Sequence, residues 1–186
     1  VVYYPQVMSL KNVDMQQMIN QSIAAETQLL IDRQVAEMPT QVEEMIGSFE
    51  LKNNQRDVFS LLLSNYTYHH QAAHGMTYIQ SLTFDLQEGR RCELHDLFLP
   101  GSDYVTRLSN CIREQIQKRD IPVLEPFTSI RPNQDFYIAD KMLVVYFQLY
   151  ELAPYVYGFP MFPISVYDLQ SIIRDEGPLG RMAQNQ

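Results

Sequence analysis

The sequence predicts an α+β fold, an antiparallel β-sheet packed against two main α-helices. Three observations predict it: a helical period from Asn12 to Met38, a period of two from Ser48 to Asp85, and a second helical period from Asp103 to Arg119. The helices interrupt the strands at irregular intervals and no repeat is present, which argues against a solenoid or a regular βαβ array. At 186 residues the chain suits one substantial core. The expected organisation is a single compact domain over residues 1–176, followed by a flexible polar tail, 177–186, that carries Pro178 and Gly180.

Val1 to Val7 reads as the start of a strand, with Pro5 at an edge or kink. In the first helix Met15, Met18, Ile19, Ser22, Ile23, Leu29, Leu30 and Val35 form the stripe, Asn12 is the cap, Asp14 sits in the first turn and Pro39 marks the stop. Three antiparallel strands follow. Their apolar and aromatic positions are Phe49 and Leu51, then Val58, Phe59, Leu61, Leu63, Tyr66 and Tyr68, then Met76, Tyr78, Leu82 and Phe84. Asn53-Asn54 and the stretch His69 to Gly75 are the expected breaks. The second helix, capped by Ser102 or Asp103, puts Val105, Leu108, Ile112 and Ile116 on one side. Leu143 to Phe147 is almost continuously apolar and reads as a central strand covered on both faces, and Ser165 to Ile173 as a short terminal helix.

There are 14 Lys and Arg against 22 Asp and Glu, a formal net charge of −8. Half of that imbalance lies in the first 47 residues, where Asp14, Glu26, Asp32, Glu37, Glu43 and Glu44 face only Lys11 and Arg33. A nucleic-acid partner is excluded for want of a basic face, and cationic proteins are favoured. No run approaches the roughly 20 apolar residues of a membrane span. The chain begins at Val1, so a signal peptide or membrane anchor upstream of it is left open.

Little in the sequence points to catalysis. His70 and His74 have i,i+4 spacing, but in what reads as a hairpin turn, so no metal site is expected. Asp135, Asp140 and Glu151 are the acids nearest the aromatic-rich end, and their separations establish no catalytic pair. Nucleophile-elbow, dinucleotide and phosphate-loop motifs are absent, so no catalytic residue and no cofactor is assigned. Cys92 and Cys111 can close one disulfide or stand as two buried thiols.

Tyrosine is the anomaly, with 12 copies and no tryptophan. Tyr146 and Tyr150 read as strand residues in a core. Pro154, Tyr155, Tyr157, Gly158 and Phe159 instead form an aromatic loop shaped by proline and glycine, the candidate surface for a ligand or partner.

Several short stretches, taken in order, carry a likeness to a known family. They are Thr83-Phe84-Asp85-Leu86 with Gly89, Leu94-His95-Asp96-Leu97-Phe98, Tyr104 with the helix to Ile116, and Phe136-Tyr137-Ile138. Tyr146 through Tyr155 with Gly158 and Phe162-Pro163-Ile164 completes the series. Together they resemble the RsiV-like extracytoplasmic domain over residues 81–176, while Tyr4-Pro5-Gln6-Val7 and the helix with Asn20 and Ile23 resemble its companion N-terminal part over 1–80. One member of that family is the lysozyme-binding sensor of a membrane-anchored anti-sigma factor, and another precedes a peptidoglycan deacetylase. The resemblance implies a non-enzymatic binding or sensing domain outside the bacterial cytoplasm, secreted or held at the extracytoplasmic face of the membrane. Its partners would be lysozyme or a peptidoglycan fragment. A structural or interaction domain of an envelope or spore protein, or a cell-wall-modifying enzyme, are the competing readings.

Overall fold

Asn12 begins the first helix by accepting the amide hydrogen of Met15 through its side chain, with Asp14 in the first turn where free backbone N–H groups favour negative charge. The resulting helix, α1 (Val13–Ala36), buries Ile19, Ile23, Thr27, Leu30 and Gln34, a narrow stripe at spacings of three and four. Leu29 and Val35, expected in that stripe, lie exposed because they fall outside the strip that meets the sheet. The computed structural model describes residues 1–184 of the chain.

A long antiparallel meander follows: β1 (Val42–Gln55), β2 (Val58–His69), β3 (Met76–Asp85) and the two-residue β4 (Arg90–Arg91), hydrogen-bonded in that order. The β1–β2 connection is Arg56-Asp57, both left-handed (φ 54° and 56°), as a type I′ hairpin requires. The break expected at Asn53-Asn54 therefore falls three residues later, and Asn53 stays inside β1, where its amide donates to the Val58 carbonyl. Val1 to Val7 is not a full strand. Val2 makes one parallel bridge to Gly47, with Tyr3 N–H donating to the Gly47 carbonyl and Gly47 N–H to that of Val1. A β-carbon at Gly47 would meet Val2 Cγ1 at 2.4 Å, so this close approach needs glycine.

After a 3₁₀ turn at Leu94–Leu97, helix α2 (Tyr104–Lys118) is capped by Asp103, whose carboxylate accepts from Thr106 N–H. The chain then builds a second antiparallel sheet, β5 (Phe136–Ala139), β6 (Met142–Tyr146) and β7 (Met161–Ser165), with β6 in the middle. The fold is α+β, and its strands divide between two sheets where the sequence suggested one. Alternation explains the stacking. In β2, Phe59, Leu61 and Leu63 join Leu82 and Phe84 of β3 beneath Ile19, Ile23 and Leu30 of α1. The opposite residues Leu62 and Ile79 meet Tyr137, Val144 and Tyr146 of the second sheet. The far side of that sheet, with Ile138, Leu143, Val145, Phe162 and Ile164, packs on Leu108 and Ile112 of α2. The order is helix, sheet, sheet, helix.

Ser165 to Ile173 is not a helix of any length: β7 ends at Ser165 and a 3₁₀ turn covers Val166–Leu169. The expected loose tail is also corrected. Helix α3 (Pro178–Ala183) is docked, with Pro178, Leu179, Gly180, Arg181 and Met182 all buried; Asn185 and Gln186 lie outside the described residues. The cause is Arg181. Its guanidinium donates to both oxygens of the fully buried Asp85 carboxylate (2.8 and 3.3 Å) and to the carbonyls of Arg56, Asp57 and Glu176. Arg56 answers by donating to the Arg181 carbonyl at 2.6 Å. A polar-looking tail thus closes the strained β1–β2 turn by satisfying a buried charge.

Arg181→Ala should leave Asp85 buried without its partner and destabilise the chain by about 3–5 kcal/mol. Urea unfolding is the check, and a chain ending at Glu176 should lose at least as much. Val145→Ala, at a fully buried position of β6, should cost about 2 kcal/mol by the same measurement.

Candidate functional site

The aromatic loop rises from a firm base. Leu152 and Ala153 are buried before it and Pro160 after it, and a single 3₁₀ turn, Tyr155–Tyr157, forms its crest. Tyr157 N–H donates to the Pro154 carbonyl and Gly158 N–H to that of Tyr155. Gly158 adopts φ 81° with open space where a β-carbon would stand, so its role is backbone conformation. The tyrosines are tied down. Tyr155 Oη donates to the Gly75 carbonyl at 3.0 Å, and its ring lies 4.4 Å from His74 and 5.5 Å from Tyr150. Tyr157 Oη accepts from Arg119, and Phe159 packs, half-buried, against the cluster between the sheets. Of the five candidate residues, then, Tyr155, Tyr157 and Phe159 hold the loop in shape. The tip they present is Val156, 92% exposed. No sequence signal marked that valine, because it becomes an apex only once both neighbours are pulled inward.

Tyr150 belongs to this cluster and not to the core expected of it. It lies in a turn after β6 at φ 63°, 47% exposed, with its hydroxyl 3.3 Å from His74 Nε2. A left-handed tyrosine is a strained position that its surroundings must impose. Tyr146, by contrast, is fully buried as expected, and burial holds its hydroxyl well above the usual phenol range. The His69 to Gly75 stretch is a hairpin loop, but His69 at its start is buried: both ring nitrogens face carbonyls, of Thr40 (3.0 Å) and of Gln34 (2.7 Å).

Tyr150 also lines a cleft. One cavity, of about 450 Å³, is bounded by Arg33, Tyr78, Gln80, Asp135, Gln148 and Leu149. A second, of about 360 Å³, runs past Leu124, Phe127, Phe147 and Leu152. Arg131, Tyr150 and Glu151 line both. Two of the three acids considered from sequence meet here, on the two sides of Arg131: Glu151 at 3.0 Å and Asp135 at 3.7 Å. Asp140 does not join them; it sits exposed in the β5–β6 turn at φ 49°. Glu151 is well satisfied, accepting also from the backbone N–H of Gln148 at 2.8 Å. Asp135 is not. Its other close donor is Gln148 Nε2 at 3.5 Å, and burial pushes its pKa up, with Gln148 and Arg131 only partly opposing. The Gln148 amide has a second task, pairing with both the N–H (3.2 Å) and the carbonyl (2.8 Å) of Ile79 on the free edge of β3. On the opposite rim the Arg33 guanidinium lies 3.7 Å over the Tyr78 ring.

Cys92 and Cys111 are free thiols, so of the two states open to them the disulfide is the one set aside. Both pack into the α2 core, Cys92 fully and Cys111 partly. Burial pushes the Cys92 pKa up to about 11 and raises that of Cys111, which makes both poor nucleophiles. Among the described residues no helix is long and apolar enough to cross a membrane.

Fold and site together define an α+β domain of two stacked antiparallel sheets that presents an aromatic-based loop beside a polar cleft. Residues 95–167, from the first 3₁₀ turn through α2 and β5–β7, match the family described as protein of unknown function (DUF3298). Two solved structures share the fold. A DUF3298 family protein from Pseudomonas aeruginosa PAO1 superposes with a TM-score of 0.64 at 15% identity, over 89% of this chain and 83% of its own. A member of the same family from Bacteroides fragilis NCTC 9343 gives 0.63 at 14% identity, over 94% and 75%. No curated protein matches the sequence.

The raised pKa of Asp135 has a definite sign. The folded chain holds this proton more tightly than the unfolded chain does, so ionisation removes stability as pH rises through the carboxylate range. Asp135→Asn should therefore gain stability over the parent on passing from acid pH to neutrality, and thermal melts of the pair across that range read the difference.

Proposed function

We propose that this chain is a non-enzymatic binding or sensing domain of the bacterial envelope, working outside the cytoplasm, with a cationic protein as its partner and the Pro154–Phe159 loop as its contact. The observation that carries this reading is Val156: an apolar side chain almost wholly exposed at the tip of a turn that three anchored aromatics hold in one shape. Such a tip loses little conformational freedom when it enters a pocket, which is how small loops gain affinity. The net charge of −8 adds attraction for a basic partner and speeds encounter. Lysozyme is the partner that the RsiV-like resemblance implies. The stretch that matches DUF3298 contains α2, the second sheet and the loop.

The test is a calorimetric titration with a c-type lysozyme at low and at moderately high salt. The expected result is binding with Kd of about 1 μM or tighter that weakens only in part with salt. Val156→Asp should abolish it and leave the melting temperature unchanged. Tyr155→Ala should weaken binding and also cost about 2 kcal/mol of stability, through the lost ring packing and the hydrogen bond to Gly75. Absence of binding, or attraction that vanishes in modest salt, would move the reading to an interaction domain with a different protein partner.

A further inference from the structure

We infer that the cleft between Tyr78 and Tyr150, floored by Asp135, Gln148 and Glu151, is a binding site for a neutral saccharide, separate from the loop surface. Three features of the cleft point to this class of ligand.

The first is charge. The lining holds two guanidinium groups, Arg33 and Arg131, and two carboxylates, Asp135 and Glu151, with Arg131 placed between the two acids. A phosphate or carboxylate ligand would have to displace Glu151 from Arg131 and then face both acids, while a cation would meet the two arginines. A neutral ligand disturbs neither arrangement.

The second is the type of polar group. Carboxylates, side-chain amides and a guanidinium offer donors and acceptors in fixed planes, and sugar hydroxyls, each both donor and acceptor, can answer such a mixture. Gln80 and Arg131 supply donors. Asp135 supplies acceptor capacity, because its own contacts are long, at 3.5 and 3.7 Å. It also lines a small polar pocket of about 90 Å³ with Gln80, Ser81 and Gln134, room enough for a single hydroxyl-bearing arm.

The third is the aromatic wall. Tyr150 stands where the two cavities join, held there against its backbone preference, and Phe127 and Phe147 continue the apolar side. An aromatic ring beside a polar floor suits the two-sided surface of a pyranose.

The experiment titrates the full chain with the trimer of N-acetylglucosamine, with cellotriose, and with glucose 6-phosphate as the charged control, following backbone amide shifts by NMR. The two neutral trimers differ by the acetamido group and so distinguish an N-acetylated from a plain sugar source. The expected result is saturable binding of at least one trimer with Kd of about 1 mM or tighter, with shifts at Tyr150, Gln148 and Asp135. Tyr150→Gly relieves the left-handed strain while deleting the ring, and Asp135→Asn keeps the shape of the floor. Each should weaken binding tenfold or more with the fold intact, while Tyr150→Phe retains it. Val156→Asp, which disables the loop, should leave saccharide binding unchanged, so that this proposal and the lysozyme reading fail separately. No saturation with either trimer, tighter binding of glucose 6-phosphate, or undiminished affinity in both Tyr150→Gly and Asp135→Asn would overturn it.

Discussion

Everything in this molecule hangs on the polar seam by which one sheet is stitched to the other. The Tyr146 hydroxyl, buried between them, donates to Ser81 Oγ at 3.0 Å and accepts the Ser81 N–H at 2.9 Å. Ser81 Oγ passes its own proton to the Phe136 carbonyl, and Ser60 Oγ takes the N–H of Ile138 while bonding to Thr83. Two short strands of the second sheet are thereby fixed to the middle of the first by side chains standing in for a ladder. Each buried polar atom in the seam has a partner, which is the condition under which such networks lend rigidity and not weakness. Asp135 and Gln134 lie one and two residues from Phe136, so the floor of the cleft inherits its position from this seam.

How much of this was legible depended on whether a feature was periodic or relational. The helix α1 with its Asn12 cap, the second helix with a cap at Ser102 or Asp103, and the central strand expected over Leu143 to Phe147, which the structure ends at Tyr146, followed from period, cap chemistry and an apolar run, which are local. The two-sheet division did not, because alternation in β2 makes both of its faces apolar and reads as one buried run. The docked end of the chain was invisible for another reason. Arg181 looks like a solvent residue until Asp85, nearly a hundred positions earlier, is seen to be buried with Arg181 as its ion-pair partner.

The candidate site divides along the same line. The loop was found from composition, since proline, glycine and tyrosine together announce a rigid surface turn. The geometry within it was not: the tyrosines are anchored and the unremarked Val156 projects. The cleft was out of reach because its members come from α1, β3, the segment before β5 and the turn after β6, and no spacing in the chain connects them. Tyr150 is where the two regions touch, its ring 5.5 Å from Tyr155 of the loop and itself part of the cleft lining.

The Gln148 amide on Ile79 has a bearing beyond the cleft. β4 covers only the last two residues of β3, and the rest of that edge is a row of N–H and carbonyl groups, the template on which another chain adds a strand; here side chains take it up, Tyr146 Oη at the Ser81 N–H and Gln148 at both groups of Ile79. The Gln148 amide imitates a peptide group in the middle of that row. The residue that shapes the floor of the cleft thus also helps to close the sheet, so a change at Gln148 would open this edge to strand addition as well as alter the cleft.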